Sequence, residues 1–182
     1  MNIYGIESEK HKLRNGKILT LRKHKMSDLK DFIKLINGLV DEDAMILMNK
    51  KITEAEEIKW LRNKIKFNNN GTEVSFVGEI DGHVIGAVDM SIGKLRRSHV
   101  GQIGISIANG YRDLGIGRIM LECIIKHAKQ KQLKLLTLDV FSNNKRALHL
   151  YKSIGLKIAG EIPGALKYKK RYENEIIMFM NI

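Results

Sequence analysis

The chain has 182 residues, 43% of them hydrophobic, which is enough to bury one core and short for two domains of ordinary size. Its single cysteine excludes an internal disulfide framework and any Cys-rich zinc site, as a reducing cytoplasm would predict. The formal net charge of +12 suits an anionic partner, yet aromatics are only 6% of the chain and do not interleave with Arg and Lys, which argues against nucleic acid.

No window approaches about 18 uncharged apolar residues, and the opening Met1-Asn2-Ile3-Tyr4-Gly5 lacks a basic stretch followed by an apolar run. A soluble, cytoplasmic chain without membrane association is therefore expected. The charge is unevenly placed: residues 1–111 hold 18 basic and 14 acidic side chains, residues 112–171 hold 14 and 4.

Residues 1–16 read as polar and irregular, and residues 17–23 as a first strand. A helix follows, with Ser27 as its N-cap and Leu29, Phe32, Ile33, Ile36, Leu39 and Val40 as one apolar stripe. Thr53 and Glu56 form a capping box that opens a second helix, which Asn68-Asn69-Asn70-Gly71 stops. Val74 and Phe76 lead to Asp81-Gly82, a pair suited to a type I′ hairpin turn, and residues 84–88 return. After a connection at 93–98, Ile103, Ile105 and Ile107 share one face of a strand over 99–107.

Ile116, Ile119, Met120, Cys123, Ile124, His127 and Ala128 then recur at helical spacing. This places Cys123 in the core and His127 in the core or at its edge. Residues 135–140 make a short apolar strand, and a helix from Asn144 buries Ala147, Leu150, Tyr151 and Ile154 before ending at Gly155. Strands over 156–162 and 175–180 complete the chain, with Pro163 in a loop between them.

The strand ending at Ile107 and the helix opening through Gly115-Ile116-Gly117 make an anion site, because the N–H groups of a helix's first turn have no intrahelical partner. There is no Gly-Lys-Ser/Thr as in a P-loop, and the third glycine of a dinucleotide fingerprint is missing. The strand, Arg112-x-x-Gly115-x-Gly117, the long helix and the next strand are followed by Asn144-x-x-Ala147-x-x-Leu150-Tyr151-x-x-x-Gly155-Leu156. In that order the chain resembles the GNAT superfamily of acetyl-CoA-dependent N-acetyltransferases, most strongly over residues 99–158.

The resemblance implies a single α/β domain of GNAT type spanning 1–182, with a mixed, mostly antiparallel sheet flanked by helices and splayed between the fourth and fifth strands. It implies acetyl-CoA as cosubstrate, with no metal. Backbone groups of Ile105 and Ile107 would hold the pantetheine arm, and N–H groups of Arg112, Asp113, Leu114, Gly115, Ile116, Gly117 and Arg118 the pyrophosphate. Lys145 and Arg146 are candidates for the adenosine 3′-phosphate, or solvated surface. Asn144 is placed to bond the pantetheine arm, to cap its helix, or both.

The implied reaction is direct attack of a primary amine on the thioester in a ternary complex. Tyr151 is the candidate acid for the departing thiolate, or a core tyrosine with a satisfied hydroxyl. Similar sequences carry a glutamate base on the fourth strand, whereas residues 99–107 hold no carboxylate and Gln102 stands near its place. His99 is then a candidate base, since an imidazole titrates near neutral pH, although three residues from Gln102 put it on the opposite face of a regular strand. Glu79, Asp89 and Glu175 are other strand carboxylates, each equally readable as surface.

The acceptor is expected to be a small-molecule amine or a peptide N-terminus, and a homodimer is compatible with the resemblance. Asp41-Glu42-Asp43 would suit a cationic acceptor, while Lys167, Lys169, Lys170 and Arg171 on the late hairpin would suit an acidic one; both groups also read as solvated surface. A second enzyme reading is a protein N-terminal acetyltransferase, and a reading outside enzymes is a non-catalytic acyl-CoA-binding module.

Overall fold

The computed structural model describes residues 8–182, so the opening Met1 to Gly5 lies outside the described residues. One sheet of eight strands, in the order β1-β2-β3-β4-β5-β6-β8-β7, organises the fold. Its strands are β1 (Ser8–Lys12), β2 (Ile18–Arg22), β3 (Glu73–Ile80), β4 (His83–Ile92), β5 (Val100–Ile107), β6 (Leu135–Phe141), β7 (Lys157–Tyr168) and β8 (Arg171–Asn181). Neighbours are antiparallel except β5 and β6, which run parallel because α3 (Ile116–Gln130) crosses over between them.

Helices cover both faces. On one, α3 packs Ile116, Met120, Leu121 and Ile124 against Val88, Met90, Ile103, Leu136, Leu138 and Met178. Cys123 and His127 are buried in this layer as expected, and burial pushes the Cys123 thiol up to about 12, which makes it inert. On the other face, Phe32, Leu35 and Leu39 of α1 (Leu29–Asp41) and Leu61 of α2 (Glu54–Asn69) pack on Val77 and Val84.

Most local signals hold. The Thr53 hydroxyl accepts from the Glu56 N–H at 3.3 Å while the Glu56 carboxylate accepts from the Thr53 N–H at 2.8 Å. Asp81 and Gly82 both adopt positive φ, as a type I′ turn requires. Three expectations are corrected. Residues 8–12 form an edge strand that the polar Ser-Glu-Lys-His-Lys run does not betray, so the splay falls between the fifth and sixth strands by count, at the residues expected. A 3-10 turn, Met26–Asp28, precedes α1, and Asp28 rather than Ser27 secures it by accepting from the Lys25 N–H at 2.8 Å. Pro163 lies within β7, an edge strand whose register breaks between Ile162 and Leu166, where a missing N–H is tolerated.

Candidate functional site

β5 and β6 pair only at Val100↔Leu135, Gly101↔Leu136 and Gln102↔Thr137. Beyond these residues the two strands part, and an open cavity of about 1190 Å³ runs through the gap. Gly93 donates to the Val100 carbonyl and Ala108 donates to the Ile85 carbonyl, so the even-numbered residues of β5 bond β4. The N–H and carbonyl groups of Ile103, Ile105 and Ile107 therefore point into the gap. The Ile107 carbonyl is engaged there by Arg112 Nε at 3.1 Å.

At the wide end of the gap, the connection to α3 turns through positive φ at Gly110, Asp113 and Gly115. Gly115 has open space where a Cβ would stand, so its φ of +82° is what calls for glycine. Gly117 is glycine for another reason: a Cβ would meet Leu150 Cδ2 at 2.9 Å, so its absence sets the approach of α3 to α4 (Lys145–Ser153). Arg112, Arg118, Lys145 and Arg146 bring four cationic side chains to this end, with Arg112 paired to Glu42, Arg118 to Glu122 and Arg146 to Asp113. Arg14, from the turn between β1 and β2, lines the cavity too, and no sequence signal singled it out.

Of the residues expected to hold the cosubstrate, Ile105, Ile107, Arg112, Asp113, Gly115, Gly117, Arg118 and Asn144 line this one cavity. Leu114 packs partly on the core and Ile116 is buried in it, so their side chains serve packing. Asn144 caps α4, its Oδ1 accepting from the Ala147 N–H at 3.2 Å. Tyr151 is 8% exposed and lines the cavity from the α3 side of the sheet; its hydroxyl bonds no described residue, and burial raises it to about 12.

His99 is not brought to the cavity. It is exposed, one residue ahead of β5, and its carbonyl accepts from Lys134 and Leu135 at the closed end of the gap. Its placement does not suit the base expected there. The face toward α1 and α2 carries carboxylates instead: Asp89 of β4, Asp139 of β6 and Glu175 of β8 line the cavity with Gln102, Gly104 and Ser106 of β5. Asp139 escaped notice because residues 135–140 look like a fully buried strand, yet Thr137 and Asp139 alternate with Leu136, Leu138 and Val140. Glu79 lies elsewhere, accepting from Arg22 Nε at 2.6 Å.

The turn after α1 roofs this face. Glu42 pairs with Arg112 from the coenzyme side, while Tyr168 of β7 donates to the Asp43 carbonyl at 2.9 Å and rests edge-on against Phe141. Asp41 pairs with Lys51, Asp43 with Lys169, and Arg171 with Glu173. The acids and bases suggested as rival acceptor determinants thus largely neutralise one another or their neighbours.

A splayed mixed sheet with a glycine turn at its mouth has clear counterparts. The model of the acetyltransferase (GNAT) family matches residues 42–156. An uncharacterized N-acetyltransferase of Methanocaldococcus jannaschii is 28% identical over 159 residues, covering 85% of this chain and 68% of that protein. The fold is similar to that of an acetyltransferase of the GNAT family from Streptococcus pneumoniae, with a TM-score of 0.80 and 24% identity over 90% of this chain and 99% of that one. It is also similar to a ribosomal L7/L12 alpha-N-protein acetyltransferase in complex with coenzyme A, with a TM-score of 0.80 and 14% identity over 90% and 94%. The chain belongs to the acetyltransferase (GNAT) family and is an acetyl-CoA-dependent N-acetyltransferase. The residues present fit that cosubstrate, since an unpaired β5 edge, a side-chain-free turn at Gly115 and basic groups at the mouth follow one another along the gap. Among the described residues no helix is long and apolar enough to cross a membrane.

Proposed function

We propose that the chain transfers acetyl from acetyl-CoA to a primary amine by direct attack in a ternary complex, with a small-molecule amine as acceptor. The observation that carries this reading is the gap between β5 and β6, which opens on both faces of the sheet, with Tyr151 on the α3 side and carboxylates on the other. The thioester supplies an electrophilic carbonyl. An amine arriving over Asp89 and Asp139 and a thiolate departing toward Tyr151 are then kept apart by the strands themselves.

In this reading the free N–H groups of Ile105 and Ile107 bond the pantetheine arm, and the turn from Arg112 to Arg118 holds the pyrophosphate through its backbone. Asn144 keeps α4 at the gap. Tyr151 delivers its proton to sulfur, and its burial keeps that proton in place at neutral pH. The joined turn after α1 and β7–β8 hairpin roof the acceptor face, which favours a compact amine over a polypeptide threaded across it. The exposed Leu47 and Met48 beside that roof support the second reading, a peptide N-terminus.

Thiol release from acetyl-CoA, measured over amino acids, polyamines, amino sugars and short peptides, tests the proposal. Release with small amines and not with peptides is expected. Release with peptides alone would move the assignment to the N-terminal reading, and acetyl-CoA binding without release for any amine would leave a binding module.

A further inference from the structure

The amide at 102 cannot accept a proton, so the reaction proposed above needs its proton acceptor elsewhere. We propose that Asp139, oriented by Gln102, takes the proton of the acceptor's ammonium; this inference rests on the acetyl-transfer reading. Gln102 Nε2 donates to Asp139 Oδ2 at 2.8 Å, across the vertex where β5 and β6 part. The carboxylate that β5 lacks is thus presented from the opposite strand.

Three features single out Asp139. First, it stands two residues beyond Thr137, the last residue of β6 paired with β5, which puts it at the first separated level of the gap. On β5, two residues beyond Gln102, is Gly104, which has no side chain to screen it. Second, apart from Glu175, the other carboxylates near the gap are in ion pairs. Glu42 pairs with Arg112, Asp43 with Lys169, and Asp89 with Lys64 at 3.2 Å, so each of these carboxylates already has a cation at one of its oxygens. Asp139 has a neutral partner, which engages Oδ2 and leaves Oδ1 without a partner among the described residues. Third, Asp139 and Tyr151 lie on opposite faces of the sheet: Leu138 and Val140 pack in the same layer as Tyr151, and Asp139 alternates with them. Glu175 also lacks a charged partner among the described residues, but it is opposite Phe141, one level nearer the mouth.

The protons then balance. The ammonium passes its first proton to Asp139 Oδ1, which frees the nitrogen lone pair to form the N–C bond. The C–S bond breaks, sulfur leaves with the bonding pair, and it takes the phenolic proton of Tyr151. The second proton lost by nitrogen restores Tyr151 through solvent, and Asp139 returns its own to solvent. One proton is released per amide formed.

The test is the pH dependence of thiol release with the best small amine of the wild-type chain. Asp139→Asn is expected to lower kcat/KM for the amine about 100-fold at pH 7, with the acetyl-CoA KM unchanged, and the deficit should shrink as rising pH supplies free amine. Asp139→Ala should regain rate on addition of formate. Gln102→Leu should lose less, with the same dependence on pH, since it acts only by orienting Asp139. A deficit in Asp139→Asn that is constant across pH, or absent, overturns the proposal. So does a pH-dependent deficit found in Glu175→Gln and not in Asp139→Asn. Lack of thiol release by the wild-type chain with every amine would instead sink the acetyl-transfer reading itself.

Discussion

Arg112 and Glu42, seventy residues apart in the chain, form an ion pair that ties the turn at the mouth of the gap to the end of α1. The same guanidinium holds the Ile107 carbonyl. The element that would grip the cosubstrate and the element that roofs the acceptor face therefore share one side chain.

Glu42→Gln should loosen the roof while leaving the turn's backbone intact. The amine KM is expected to rise several-fold with a smaller change in that of acetyl-CoA. Steady-state kinetics with each substrate varied in turn would check this, and equal changes in both constants would speak against the coupling.

Tyr151→Phe keeps the ring that packs in the core and removes only the hydroxyl. A kcat lower by about 100-fold with acetyl-CoA affinity preserved is the expected outcome. Because burial raises the hydroxyl to about 12, the wild-type rate should show no loss assignable to Tyr151 up to about pH 10. An unchanged kcat in the variant would remove Tyr151 from the reaction.

The two glycines of the turn should fail differently. Gly115→Ala forces a side chain to φ +82° and is expected to cost about 1 kcal/mol of stability. Gly117→Val pushes against Leu150 and should weaken acetyl-CoA binding about ten-fold, with Leu150→Ala in the same chain restoring part of it. Thermal melts and acetyl-CoA titrations separate the two effects. Undiminished binding in Gly117→Val would contradict the packing role.

Glu57 and His24 should tilt stability in opposite directions with pH. Burial raises the Glu57 carboxyl from its ordinary 4.5 to about 7, and Oε1 has no hydrogen-bond partner among the described residues. Below about pH 4.5 both folded and unfolded states hold the proton, so Glu57 costs nothing. Between 4.5 and 7 only the unfolded state ionises, and stability falls by up to about 3 kcal/mol. Glu57→Gln should recover that amount at pH 8 and almost nothing at pH 4. His24, stacked on Phe32, is lowered by burial from 6.5 to about 4, with Lys64 adding to the effect. As pH falls from 6.5 to 4 the unfolded state alone gains its proton, so the fold weakens on the acid side. Urea unfolding of Glu57→Gln and of His24→Gln against wild type, at several pH values, reads both windows.

The motif from Arg112 to Gly117 and the block from Asn144 to Leu156 were legible because they are local. Backbone turns, helix starts and caps depend on residues within a few positions, and their spacing survives in the chain. The same holds for the Asp81-Gly82 turn and the Thr53 capping box. Strand β1 was not legible, because a short polar edge strand buries too little to impose an apolar alternation.

The order of elements from β2 onward, the residues proposed to hold the cosubstrate and the family could thus be read from the chain alone, because all of them follow from near neighbours in it. Only the tertiary structure decided which carboxylates stay unpaired. The pairing of Glu42 with Arg112, of Asp89 with Lys64 and of Asp139 with Gln102 joins residues 70, 25 and 37 positions apart, and ion pairs and hydrogen bonds between side chains act through space rather than along the backbone. The glutamine on β5 was visible from the start. That it faces an aspartate across the opening of the sheet depends on where β6 returns, and no local pattern encodes that.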